Sequence, residues 1–217
     1  MNETSACHSS RLTAGDVARA VRVDLKTVHN WVQRGLLRGA RTRGGHLRFL
    51  RTEVVRFLRR RGRPVPPEVI VTHPRVVTVA LPADSTAAIR AEREASVFEA
   101  LLGFGTSSCD VIVVGLDGIE PERTRELAAA LVRQPVTQGG ALVGVSADPV
   151  RRREFLAGGA DLVLAGSNAI PSAVAYVCGA GDHADGADAV PPPARGDRAS
   201  GTFPRLGLPA TRLVEVH

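Results

Sequence analysis

The 217-residue chain predicts two domains of different class: a small α+β head of short helices and a β-hairpin, then a larger α/β body around a parallel sheet. Three observations carry this. Between residues 11 and 62 the apolar spacing gives three helical stretches and one strand-like pair about a glycine turn. From Arg75 to Cys178, continuous apolar runs alternate with amphipathic ones, as in a parallel sheet covered on both faces. The charge divides at the same place. Residues 1–63 hold 15 Lys and Arg against 4 Asp and Glu, a net of +11, while the remainder carries −5 of the overall +6.

The expected organisation is a disordered N-terminus at 1–10, the head at 11–62 and a Pro-rich linker at 63–74. The α/β domain follows at 75–179, and a mostly disordered, Gly-, Ala-, Asp- and Pro-rich tail at 180–217. Residues 1–10 lack an apolar core segment, so no secretion signal is expected. Cys7, Cys109 and Cys178 stand far apart with no Cys-x-x-Cys pair, which disfavours both a disulfide scaffold and a cysteine metal site. Leu162–Gly181 is uncharged over about a bilayer span. Gly166, Ser167, Asn168, Pro171 and Ser172 interrupt it, so a strand, a turn and a short helix are expected there rather than a membrane segment. These features place the protein in the cytoplasm.

In the head, Thr13-Ala-Gly-Asp16 is a helix start with a hydroxyl cap and an acid three residues on. Val17, Ala18 and Val21 form one apolar face. Asp24 is placed to cap a second helix, in which Leu25, Val28, Trp31 and Val32 share a face and Gly35 marks the end. Two short helices about so tight a turn make a helix-turn-helix pattern. Leu37–Thr42 and His46–Leu50 flank Gly44-Gly45 as the arms of a hairpin. A third helix from about Thr52 to Arg60 buries Val54, Val55 and Leu58.

Packing one face of the second helix leaves Lys26, Thr27, His29, Asn30 and Gln33 outward, with Arg34 at the end. Thr27 and Asn30 can exchange hydrogen bonds with base edges, and Lys26 and Arg34 suit phosphates. Arg38, Arg41, Arg43, His46 and Arg48 cluster on the hairpin about Gly44 and Gly45, suited to a DNA backbone or minor groove. No second ligand lies at useful spacing from His46, so no metal is expected. The partner implied is double-stranded DNA.

The residues Leu12-Thr13, Asp16-Val17-Ala18, Lys26-Thr27-Val28, Trp31, Gly35-Leu36 and Arg43-Gly44-Gly45-His46-Leu47-Arg48-Phe49 resemble the winged helix-turn-helix of MerR-like and excisionase-type DNA-binding domains. The resemblance implies that Thr27, His29, Asn30 and Gln33 face the major groove while the wing arginines hold adjacent backbone.

In the body, Val76–Leu81, Asp110–Val114, Ala141–Val145 and Asp161–Leu164 are expected strands. Ala95–Leu102, Pro121–Arg133 and Pro149–Ala157 are expected helices, and Asp84–Glu94 holds either a truncated helix or a strand at Ala87–Ala91. With Phe98–Leu102, Cys109–Val114, Ala141–Ala147 and Gly158–Leu164, this segment resembles a response-regulator receiver domain of flavodoxin-like fold. That family needs an Asp after the third strand, an acidic pair after the first and a Lys after the fifth. Here the Asp position falls on Gly115, the first strand ends Ala80-Leu81-Pro82, and the Lys position falls near Gly166. Ser146 remains at the Ser/Thr switch position, and Asp117 and Asp84 are the displaced candidates.

No P-loop, Gly-x-Gly-x-x-Gly or triad spacing is present, and the Asp-x-His-x-x-Gly signature of cobalamin domains is missing. No enzyme activity and no cofactor are expected. The implied function is a DNA-binding transcriptional regulator with a non-phosphorylatable receiver-like domain for protein interaction or dimerisation. It would bind DNA in the nucleoid, as a homodimer or a cooperative oligomer. The alternatives are an excisionase-like architectural DNA binder, or a response regulator with a working phosphoacceptor.

Overall fold

The computed structural model describes residues 11–86, 91–94, 109–133, 140–181 and 187–189. The expected helix at Ala95–Leu102, the N-terminal ten residues and nearly all of the tail lie outside the described residues.

The head contains β1 (Arg11–Thr13), α1 (Ala14–Val21), α2 (Leu25–Gln33), β2 (Ala40–Arg41), β3 (Leu47–Leu50) and α3 (Arg51–Arg60). Its sheet runs β1-β3-β2, all antiparallel, with Leu12 opposite Phe49 and Ala40 opposite Arg48. The hairpin is shorter than its sequence suggests, and β1 is an additional strand that three residues cannot announce by periodicity. Thr13 caps α1 in a reciprocal box: its Oγ1 accepts from Asp16 N at 3.1 Å, and its own N–H donates to Asp16 Oδ2 at 2.9 Å. Asp24 stands at the N-cap of α2 but its side chain accepts no capping bond. Val17, Val28, Phe49, Val54 and Leu58 form the core with Val69, and Trp31 packs on Phe57 at 4.7 Å between centroids.

The body comprises β4 (Val76–Val79), β5 (Ala91–Glu94), β6 (Val111–Gly115), α4 (Pro121–Arg133), β7 (Ala141–Val145), α5 (Pro149–Ala157), β8 (Leu162–Leu164), α6 (Ile170–Val177) and β9 (Ala187–Ala189). The sheet order is β5-β4-β6-β7-β8-β9; β9 is antiparallel to β8 and every other pairing is parallel. The second strand lies at Ala91–Glu94, meeting the strand alternative expected at Ala87–Ala91 only at Ala91; residues 87–90 lie outside the described residues. Side-chain alternation gives each face its own core. Val111, Val113 and Val143 pack with Ile170 and Val174 of α6, whereas Ile112, Val114 and Leu142 pack with Ala128 and Leu131 of α4 and Phe155 of α5. This is an α/β domain. Among the described residues, no helix is long and apolar enough to cross a membrane.

The Pro-rich connection is tied to both sides. Val69 is fully buried in the head core, Val71 belongs to the body core, and Val71 N donates to Cys178 O at 2.9 Å. Helix α3 lies against α6, with the Arg59 guanidinium 3.7 Å from the centroid of the Tyr176 ring. Beside it, Arg56 reaches across to the body. Its Nε and Nη2 donate to the two carboxylate oxygens of Asp161 at 2.5 and 2.7 Å, Nη2 also donates to Gly140 O at 2.7 Å, and Nη1 pairs with Glu53. Burial disfavours the Arg56 charge, but the carboxylates of Asp161 and Glu53 more than offset this and hold its pKa above the ordinary value.

Candidate nucleic-acid interface

Helix α2 is short, so only its inner face can be covered. Val28 is fully buried, and Trp31 and Val32 are half-buried against the core. Lys26, His29, Asn30, Gln33 and Arg34 are exposed, whereas Thr27 is half-buried. Leu25, expected on the packed face, is 48% exposed instead. It occupies the first turn and lines a cleft with Arg41, Gly45 and His46 of the hairpin.

The hairpin turn expected to serve as a wing is the five-residue loop between β2 and β3. Thr42 N donates to His46 O at 2.9 Å and Gly45 N to Thr42 O at 2.8 Å, closing the tip. Gly45 has φ +77°, a left-handed conformation that a glycine adopts without a Cβ penalty. Arg41 Nη1 donates to Gly45 O at 2.8 Å, so one arginine braces the tip from which Arg43 projects. Arg43, Gly44, Gly45 and His46 are exposed, and Arg48 is half-buried with Nη1 donating to Leu47 O at 3.0 Å.

Helix and wing meet in an open cleft of about 540 Å³, lined in part by Thr13 and Gly15 at the start of α1, Leu25 and His29 of α2, and Arg41 and His46 of the wing. Gly45 and Arg48 also line it, and among the described residues no carboxylate does. The fold thus brings His29, Arg41, Gly45, His46 and Arg48 together. Lys26, Thr27, Asn30, Gln33, Arg34, Arg43 and Gly44 lie outside that lining. Sequence periodicity missed the contribution of β1, which sets the start of α1 beside the wing. Three residues, the last of which is the helix cap, carry too short a pattern to reveal it from sequence.

Residues 11–62 match the family model of a helix-turn-helix domain. The match covers about a quarter of the chain. No curated protein and no solved structure matches it. The helix-turn-helix family binds DNA, and the exposed polar face of α2 beside a cationic wing is consistent with that chemistry.

The body presents a second group of predicted positions at the C-terminal ends of its strands. Gly115 ends β6 at a point where a Cβ would collide with the Ala80 carbonyl oxygen and also meet Leu81. Ala80 itself takes φ +53°, which turns its carbonyl over this position. Ser146 is 1% exposed. Its Oγ donates to Asp117 Oδ1 at 2.5 Å and accepts from Asp148 N at 3.1 Å. Asp117 and Asp84 are exposed, and Gly166 precedes a 3₁₀ turn at Ser167–Ala169. Arginines brace the neighbouring loops: Arg152 Nη1 donates to the carbonyls of Ser146 and Ala147, and Arg151 Nε to Ile119 O.

Proposed function

We propose that this protein is a transcriptional regulator that reads duplex DNA with α2 and grips the adjacent backbone with the wing. The observation that carries the proposal is the cleft, lined by no carboxylate among the described residues, in which His29, Arg41, His46 and Arg48 converge beside the exposed face of α2. Lys26, Thr27, Asn30 and Gln33 complete the groove-facing set, with Arg34, Arg43, Gly44 and Gly45 at the phosphates. Leu25 adds an apolar surface suited to a thymine methyl group. One head of this size covers little duplex, so binding as a homodimer or a cooperative array follows.

The body is read as a receiver-like domain that does not carry phosphate. Its parallel order, with the second strand outside the first, supports this reading, because a flavodoxin-type doubly wound sheet is ordered in the same sense. The acceptor position is a glycine under a carbonyl, the lysine position is a glycine, and Ser146 is committed to Asp117 and Asp148. The remaining role is to bind a protein, including a second copy of the chain, and the acidic balance of residues 64–217 keeps most of its surface off the duplex.

The test is selection of bound duplexes from a random pool by the full-length chain, followed by footprinting. A shared sequence protected at discrete sites is the expected result. Spreading protection with bending would favour the architectural alternative, and failure to retain any duplex at low salt would end the proposal.

A further inference from the structure

A second cleft opens where the wing sheet approaches the end of α4, and it shares Arg48 with the first. Arg11, Arg38 and Arg48 of the head and Arg133 of the body line a space of about 510 Å³, over apolar walls that include Val32 and Leu37. Among the described residues, no carboxylate lines it. Among the described residues, no acid forms an ion pair with Arg38, Arg48 or Arg133.

The arrangement is held in place. Arg38 N donates to Glu53 Oε1 at 3.1 Å, and Glu53 is fixed by Arg56, which also clasps Asp161 of the body. One buried network therefore sets both the position of Arg38 and the docking that brings Arg133 near it. Gathering guanidinium groups around one space costs electrostatic energy that a bound anion would relieve. Their planar forks match phosphate oxygens in pairs. The volume is that of a small-molecule site, and the apolar walls suit an organic body more than a bare duplex backbone.

We propose that this cleft binds a small phosphate-bearing organic anion, which bridges the head and the body. Such a ligand recognises only the docked arrangement, so binding stabilises it by mass action. The site would report the level of a phosphorylated metabolite to the DNA-binding head.

The probe is inorganic pyrophosphate at millimolar concentration, added to the full-length protein at constant ionic strength. A rise in melting temperature and one binding event per chain by calorimetry are expected. Arg133→Gln and Arg38→Ala should each weaken that binding at least tenfold, as expected for loss of a charge-assisted contact. Arg43→Ala, at the wing tip, should leave it unchanged. Arg133 is exposed, so its replacement does not threaten the fold. No response in the parent, an equal response in Arg133→Gln, or a loss confined to Arg43→Ala would each overturn the proposal. So would a reduced salt slope of duplex binding in Arg133→Gln, because the cleft would then hold a DNA phosphate.

Discussion

Arg56 of the head engages both carboxylate oxygens of Asp161 in the body, at 2.5 and 2.7 Å, across 105 residues of sequence. Asp161 Oδ2 also accepts from Leu142 N at 2.9 Å, so the same carboxylate anchors the start of β7. The side chains of Arg56, Asp161 and Glu53 are only 18%, 12% and 6% exposed. Removing one member of a buried, fully bonded group strands the charge of the others, at a cost of about 3–5 kcal/mol. Arg56→Ala and Asp161→Ala should each destabilise the chain by that order in urea unfolding. The double variant should cost clearly less than the two together, because the stranded charge disappears with its partner.

Replacing Gly115 by Asp should not restore a phosphoacceptor. A Cβ there runs into the backbone of Ala80, and such overpacking costs about 1–3 kcal/mol or more. Gly115→Asp should lower the urea midpoint and gain no phosphoryl mass from a small phosphodonor with Mg²⁺. The parent should likewise gain none, and a phosphoaspartate at Asp117 would contradict the proposed role of the body.

Duplex binding should weaken steeply with salt. Each phosphate contact contributes roughly 0.9 to the slope of log K against log salt. Arg43→Ala and Arg48→Ala should each flatten the slope by about that amount across a titration series. Asn30→Ala is expected to relax sequence preference while leaving the slope in place, because it reads bases and not phosphates.

The capping box of α1 gives a pH signature. Hydrogen bonds from the Thr13 hydroxyl and N–H hold the Asp16 carboxyl below its ordinary value of 3.8. A carboxylate with a depressed folded value contributes stability that is full above its unfolded value and is lost as pH falls through the folded one. Asp16→Asn should therefore be less stable than the parent at neutral pH, and the difference should close in acid. Thr13→Ala should cost about 1 kcal/mol, read by chemical denaturation.

On the alkaline side, Cys178 contributes a signature of its own. Burial, with the nearby Asp110 carboxylate, pushes its thiol from 9.0 up to about 12. The unfolded chain ionises first, so this thiol's contribution is complete below pH 9.0 and is progressively lost as pH rises toward about 12. Native Cys178 and Cys109, both buried, should react with a thiol reagent only at the rate of unfolding.

Sequence periodicity determined the elements whose signals are local. Val17, Ala18 and Val21 place the inner face of α1, Thr13 and Asp16 its cap, and the runs DVIVV and ALVGV the central strands to within a residue, because helix and strand periods are short-range properties. The exposed set Lys26, His29, Asn30, Gln33 and Arg34 was legible for the same reason. Leu25 was not, since exposure in a first turn depends on where the core ends. Neither was Thr27, which neighbouring elements half-cover. Only the tertiary structure decided that the Pro-rich segment is pinned between two cores, that Ala80 closes over Gly115, and that Arg56 meets Asp161. Each of these joins residues from separate elements, and which buried charges find partners is settled by packing geometry rather than by spacing along the chain.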